Sequence, residues 1–176
     1  MGRTREAALR GAVRAVAKYG SRKATMGDIA MLAGIAKATL YNHFRTRDDV
    51  YRAAIAMQID EIAAASSARA ADGLEAVLAE AARLVAEHPA GRRIALEEPA
   101  TLAALAAPSS GALWESARAH VAQALDEAGQ PGSASSVDLV IRYLASLLLE
   151  PSTAAQRAEC ARLIAAALRD AQRSPE

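Results

Sequence analysis

The chain has 176 residues, with 52% apolar, 23% charged and a formal net charge of +1. That is long enough to bury a core without disulfides or structural metals, and too apolar for an intrinsically disordered segment. Only 3% of the residues are aromatic and one is cysteine, Cys160, which excludes an internal disulfide and a cysteine-based zinc site.

Alanine and leucine carry the apolar content; both form helices well and mark strands poorly, so the composition points to an all-α protein. The first twenty residues show no apolar run of a secretory signal. No stretch reaches the roughly 18 apolar residues of a membrane span. No membrane partner and a reducing, cytoplasmic address are therefore expected.

In chain order, Leu9, Ala12, Val13, Val16 and Ala17 follow the i, i+3, i+4 spacing of an amphipathic helix that Gly20 ends. Thr25 opens a second helix as its N-cap, with Asp28 completing a capping-box variant. Ile29, Leu32 and Ala33 are its buried positions, and Gly34 stops it. A short third helix runs from about Lys37 to Phe44 and buries Leu40 and Phe44. Thr46 with Asp49 repeats the capping pattern and starts a longer fourth helix carrying Val50, Ala54 and Met57.

Residues 66–73 read as a link. Leu74, Val77, Leu78, Ala81, Leu84 and Val85 form a helical stripe that His88-Pro89 ends. Prolines break residues 91–108 into short helical pieces. Ser109 or Ser110 opens a helix through Trp114, Val121 and Leu125, which Gly129 stops. After a Pro/Gly/Ser loop, Ser136 caps a helix with Val137, Val140, Ile141, Leu144, Leu147 and Leu148, which Pro151 ends. Ser152 caps the last helix, holding Ala161, Leu163, Ile164 and Leu168. The total is about nine helices, with no strand pattern and no internal repeat. The division expected is residues 1–50 as one domain and residues 51–176 as another.

Charge is split along the chain. Residues 1–52 hold eleven Lys/Arg against four acids, a net of +7, leaving ten bases against sixteen acids, −6, in the remainder. A basic head on an acidic body suits a polyanion at the head; on charge alone a solvated basic face explains it equally well.

Two short helices around a tight Gly turn, 25–33 and 37–44, sit inside that head. This is a helix-turn-helix layout, in which the second helix enters the major groove. The run Thr25-Met26-Gly27-Asp28-Ile29-Ala30-Met31-Leu32-Ala33-Gly34-Ile35-Ala36-Lys37-Ala38-Thr39-Leu40-Tyr41-Asn42-His43-Phe44-Arg45-Thr46-Arg47-Asp48-Asp49-Val50 resembles the DNA-binding signature of TetR-family transcriptional regulators. The resemblance is dense over residues 5–52; beyond them it rests on helix count and order.

It implies an N-terminal three-helix DNA-binding domain. It also implies a C-terminal helical domain that binds a small effector and dimerises through its last two long helices. Thr25, Thr39, Tyr41, His43 and Arg47 match positions that hold phosphates, and Lys37, Ala38, Tyr41 and Asn42 match positions that face bases. The chemistry agrees. Hydroxyls and Arg suit phosphate oxygens; Lys suits guanine, Asn suits adenine, and the Ala38 methyl suits thymine.

Three departures stand out. Ala36 replaces the usual Ser, so the third helix loses a cap worth roughly 0.5–2 kcal/mol. Arg47 replaces the usual Lys and keeps the charge. Gly27 stands where members of the family place a base-contacting side chain.

The implied reading is a ligand-responsive regulator, a repressor, bound as a homodimer to a near-palindromic double-stranded operator. The 136–149 helix is apolar on more than one face, so it and the last helix, 153–171, are expected to form the dimer. A small hydrophobic effector would bind near Met57, Trp114, His120 and Tyr143, although Trp114 and His120 serve equally well as ordinary core. His88 reads as a helix-end residue.

No nucleophile elbow, phosphate loop or zinc-protease motif is present. His43, His88 and His120 lack metal spacing, and the adjacent acids Glu97 and Glu98 do not face each other on a helix. No catalytic residue, metal or cofactor is expected. The rival readings are an all-α enzyme with its site in the acidic body, and a helical-bundle interaction protein whose helix-turn-helix is scaffold only.

Overall fold

The computed structural model describes residues 2–106, 111–130, 132–150 and 152–173. The fold is all-α, with ten α-helices and no strand among the described residues. They are α1 (Gly2–Tyr19), α2 (Met26–Ala33), α3 (Lys37–His43), α4 (Arg47–Ser67), α5 (Leu74–Ala86), α6 (Pro89–Glu97), α7 (Pro99–Ala106), α8 (Ala112–Glu127), α9 (Ala134–Leu149) and α10 (Ala154–Arg173), with a 3-10 turn at Ala70–Asp72. The count exceeds nine because the proline-broken stretch forms two helices. Pro89 and Pro99 each open one, at the position where a missing N–H costs nothing. Pro108, Ser109, Ser110 and Pro151 lie outside the described residues.

The chain divides into two compact units: residues 1–58 with 88–102, and residues 59–87 with 103–176. In the first, Ala8, Leu9, Ala12 and Ala15 of α1 meet Ile29 and Ala30 of α2, Leu40 of α3, Phe44, and Val50 and Ala54 of α4. The helices approach closely because their contacts are small. A Cβ on Gly11 would lie 2.7 Å from both the Ala33 Cβ and the Ile29 carbonyl oxygen, so only a hydrogen fits where α1 crosses α2.

The helix starts follow local chemistry. Thr25 Oγ1 accepts from the Asp28 N–H at 3.2 Å, while Asp28 Oδ2 accepts from the Thr25 N–H at 2.9 Å and its hydroxyl at 2.6 Å. These bonds, the hydroxyl first, hold the Asp28 carboxyl below its ordinary value. Thr46 and Asp49 form the same box at the start of α4. Gly34 takes the left-handed conformation, φ 69°, that turns the chain from α2 toward α3. Ala36 leaves α3 without a side-chain cap.

Several boundaries differ from expectation: α3 ends at His43, one residue before Phe44, α4 runs to Ser67 into the expected link, and the caps of α9 and α10 shift. α1 begins at Gly2, well before the first apolar position, since its leading Arg, Glu and Ala residues tolerate a helix. α9 is capped by Ser133, whose Oγ accepts from the Ser136 N–H at 3.1 Å; the expected cap, Ser136, is already inside the helix. α10 is capped by Thr153 instead of Ser152. Thr153 Oγ1 accepts from the Gln156 N–H at 3.2 Å, and Gln156 Oε1 accepts from the Thr153 N–H at 2.8 Å. Gln three residues after the cap is what makes Thr153 the better choice.

The second unit is built on Leu74 and Leu78 of α5, Leu125 of α8, Val137, Val140 and Ile141 of α9, and Ala161, Ala165 and Leu168 of α10. Arg157 is buried. It pairs with Glu87 at 2.7 Å and donates to the Ser152 carbonyl at 2.6 Å, while the Tyr143 hydroxyl donates to the Arg157 carbonyl at 3.2 Å. Cys160 is partly exposed.

Two stability predictions follow from the caps and the crossing. Gly11→Ala forces α1 and α2 apart and should destabilise the protein by about 1–3 kcal/mol in chemical denaturation. Asp28→Asn removes a charge whose folded pKa is depressed. Its contribution is present above the ordinary carboxylate pKa and lost as pH falls through the lower folded value. The variant should therefore melt below the parent near neutrality, with the gap closing as pH falls below the ordinary carboxylate pKa.

Candidate nucleic-acid interface

α3 is short, and the burial pattern divides it cleanly. Leu40 is fully buried, and Phe44, just after the helix, is 6% exposed. Lys37, Ala38, Tyr41 and Asn42 are exposed, while Thr39 and His43 are partly buried. The four exposed residues fall at i, i+1, i+4 and i+5, one continuous face opposite Leu40. The Lys37 ammonium lies 6.0 Å from the centre of the Tyr41 ring, a cation–π distance. The His43 ring sits tilted beside Phe44 with centroids 6.4 Å apart.

The structure commits the hydroxyl proton of Thr25 to Asp28. That leaves the first N–H groups of α2, which have no partner within the helix, as the donors at that end. Arg47 turns part of its guanidinium inward. Its Nη1 donates to the carbonyls of Arg22 at 3.0 Å and Ala24 at 3.1 Å, and the group lies 5.5 Å from the Tyr51 ring centre. Other cations of the head are also held: Arg5 stands over the Phe44 ring at 5.4 Å, and Arg14 donates to the Leu32 carbonyl. A Cβ on Gly27 would meet Thr25 Oγ1 at 3.5 Å, an ordinary van der Waals contact.

Sequence reasoning missed a polar group at the turn between α1 and α2. Tyr51 donates from its hydroxyl to the Ser21 carbonyl at 3.1 Å, and burial raises its phenol pKa, keeping it a donor. Glu98, 5% exposed, accepts from the Ser21 hydroxyl at 2.5 Å and the Arg22 N–H at 3.1 Å, with Arg22 Nε at 3.6 Å. Burial pushes its carboxyl up, but the Ser21 and Arg22 bonds and the Arg22 charge outweigh it and hold the group below the ordinary value. The only sequence signal was the acid pair itself. Glu97 takes a different partner, Arg93, at 2.6 Å.

The expected effector residues fall in different units. Met57 packs on the core of the first. In the second, Trp114 packs on the core, His120 Nε2 meets Asp60 at 2.9 Å, and Tyr143 is tied to the Arg157 carbonyl. A cavity of about 130 Å³ in this unit, lined by Leu125, Gln130, Ser133, Ser136, Leu168, Ala171 and Gln172, includes none of the four. His88 caps α6, its Nδ1 accepting from the Gly91 N–H at 3.2 Å. Among the described residues no helix is long and apolar enough to cross a membrane, and no three His, Cys, Asp or Glu gather as a metal site.

Residues 8–54 match the family of bacterial regulatory proteins named for tetR. No curated protein matches the chain. Among solved structures, the TetR family repressor AlkX from Dietzia sp. strain DQ12-45-1b, implicated in biodegradation of n-alkanes, is similar with a TM-score of 0.72 at 20% identity, over 93% of this chain and 97% of that one. The fatty acid degradation regulator FadR from Bacillus halodurans is similar with a TM-score of 0.66 at 15% identity, over 94% and 96%. FadR from Bacillus subtilis, solved in complex with stearoyl-CoA, is similar with a TM-score of 0.60 at 14% identity, over 91% and 97%. These likenesses are of fold, and the proteins are regulators, not enzymes. The helix-turn-helix head, residues 8–54, thus matches the model of the tetR family of bacterial regulatory proteins, and the chain as a whole shares the fold of the regulators it is similar to.

Proposed function

We propose that this protein is a ligand-responsive transcriptional repressor that binds a near-palindromic operator as a homodimer. The observation that carries the reading is the exposed face of Lys37, Ala38, Tyr41 and Asn42 on α3, set in a segment of net charge +7. Lys37 and Asn42 carry the donors that read guanine and adenine edges, and Ala38 offers a methyl to thymine. The phosphate contacts are Tyr41 on that face and, beside it, Thr39, His43, Arg47 and, at Thr25, the first N–H groups of α2. The Arg47 nitrogens not engaged with the Arg22 and Ala24 carbonyls remain as donors. In functional terms residues 1–50 read DNA, and residues 51–176 dimerise and sense the effector. A regulator of this kind works in the cytoplasm, beside the chromosome.

The homodimer is supported by apolar side chains left on α9 and α10. Leu139, Leu149 and Leu163 are 42%, 54% and 52% exposed although each helix already buries another face. A two-fold pairing of α9 and α10 into a four-helix bundle covers them. The effector is a small hydrophobic molecule, with Met57, Trp114, His120 and Tyr143 as the residues to test. The stearoyl-CoA held by the Bacillus subtilis FadR and the link of AlkX to n-alkanes support that class. An enzymatic site in the acidic body, or a scaffold-only helix-turn-helix, is the alternative; the net charge of +7 on the head and the Tyr41/Arg47 pair argue against the scaffold reading.

Duplexes enriched by the protein from a random library are the direct test. Affinity for the enriched duplex should fall about 10³-fold or more between 50 and 200 mM salt if six or more phosphates are neutralised. Tyr41→Phe, which keeps the ring, should weaken binding about tenfold with the fold intact. Unchanged binding by both Tyr41→Phe and Arg47→Ala would remove α3 as the reading head. Sedimentation at micromolar concentration should return twice the chain mass; a monomer contradicts the homodimer.

A further inference from the structure

Among the described residues Glu98 is the one buried carboxylate, and it lies at an unfavourable place. It ends α6, where the helix dipole opposes a negative charge, and its backbone is fixed from both sides. Its N–H donates to the Ile94 carbonyl at 2.7 Å, its own carbonyl accepts from the Leu102 N–H at 3.1 Å, and Pro99 restricts its torsions. A buried charge on a rigid mount persists only where donors surround it. The donors here are all from the turn between α1 and α2: the Ser21 hydroxyl, the Arg22 N–H and the Arg22 guanidinium. The turn is shaped for this approach. Gly20 has φ +81°, and a Cβ there would sit 3.1 Å from carboxylate oxygens of both Glu97 and Glu98.

The other side of the same turn faces α4. The Ser21 carbonyl takes the Tyr51 hydroxyl, and the Arg22 and Ala24 carbonyls take Arg47. Four consecutive residues, 21–24, are thus clamped between one carboxylate and the first turns of α4, and Thr25, the cap of α2, follows directly. We infer that Glu98 is a positioning residue for DNA binding: by fixing the 21–24 turn it sets Arg47 and the start of α2 at the spacing that the phosphates require. The inference rests on the DNA-binding reading above.

A plain stability role and a positioning role separate in the salt dependence. Loss of folded protein lowers affinity by a constant factor and leaves the slope of log affinity against log salt unchanged. Loss of a phosphate contact makes that slope shallower by about one. The probe is the duplex enriched by the parent protein, titrated at several salt concentrations at a temperature where circular dichroism shows each variant folded.

Glu98→Ala should bind roughly three- to thirtyfold more weakly with the shallower slope. Glu98→Gln, which keeps one accepting oxygen, should fall between it and the parent. If Glu98→Ala does not fold, Glu98→Gln, which keeps the size of the side chain, supplies the same two readouts. Parent-like affinity, or weaker affinity at parent slope, overturns the positioning role while leaving DNA binding intact. Failure of the parent to enrich any duplex overturns the DNA-binding reading and this inference with it.

Discussion

The head depends on how closely α1 and α2 cross. With one phenylalanine and one tryptophan in the whole chain, there is little aromatic bulk to fill space between helices. The alternative is to bring backbones together. Gly11 does this against Ile29 and Ala33, and Ala8, Ala12 and Ala15 continue the close seam on α1. Dispersion falls off steeply with separation, so a thin seam packs well only at short range. That seam fixes α2, the Gly34 turn carries its direction to α3, and Leu40 with Phe44 seats α3 with its polar face outward. The orientation of four exposed side chains therefore traces back to one missing methyl group.

Most of this was legible in the sequence because it rests on local rules. The boxes at Thr25/Asp28 and Thr46/Asp49, the left-handed Gly34 and the uncapped Ala36 are properties of three or four neighbouring residues. The all-α class followed from composition. Helix starts went wrong where two caps competed within a few residues. At Ser133 against Ser136 and at Thr153 against Ser152, the winner was decided by which residue found a partner three positions on.

What stayed hidden was long-range and polar. Glu98 meets Ser21 and Arg22 across more than seventy positions of sequence, and no periodicity or motif encodes such a pairing. The motif gives Arg47 a phosphate-holding position, while its bonds to the Arg22 and Ala24 carbonyls depend on where a loop lies in space. Charge counting has the same blind spot. The net +7 of the head is correct as a sum, yet Arg5, Arg14 and Arg47 also spend donors or faces on Phe44, Leu32 and the 21–24 turn.

The same polar group bears on how a signal could reach the head. The chain leaves the first unit after Gln58, returns at His88 and leaves again after Leu102. The segment holding α6 is thus joined covalently to the second unit at both ends, and held within the first by non-covalent contacts alone. A ligand shifts a two-state equilibrium only by its differential affinity for the two states, so an effector must alter something the head can feel. Apolar contacts yield gradually as helices slide. A buried carboxylate with its donors at 2.5 and 3.1 Å does not, because leaving its charge without those donors is costly. Displacement of α6 would therefore either carry the 21–24 turn with it or break the Glu98 bonds outright. Both outcomes are discrete, and under the proposed ligand-responsive reading a discrete change is what a two-state switch of DNA affinity requires.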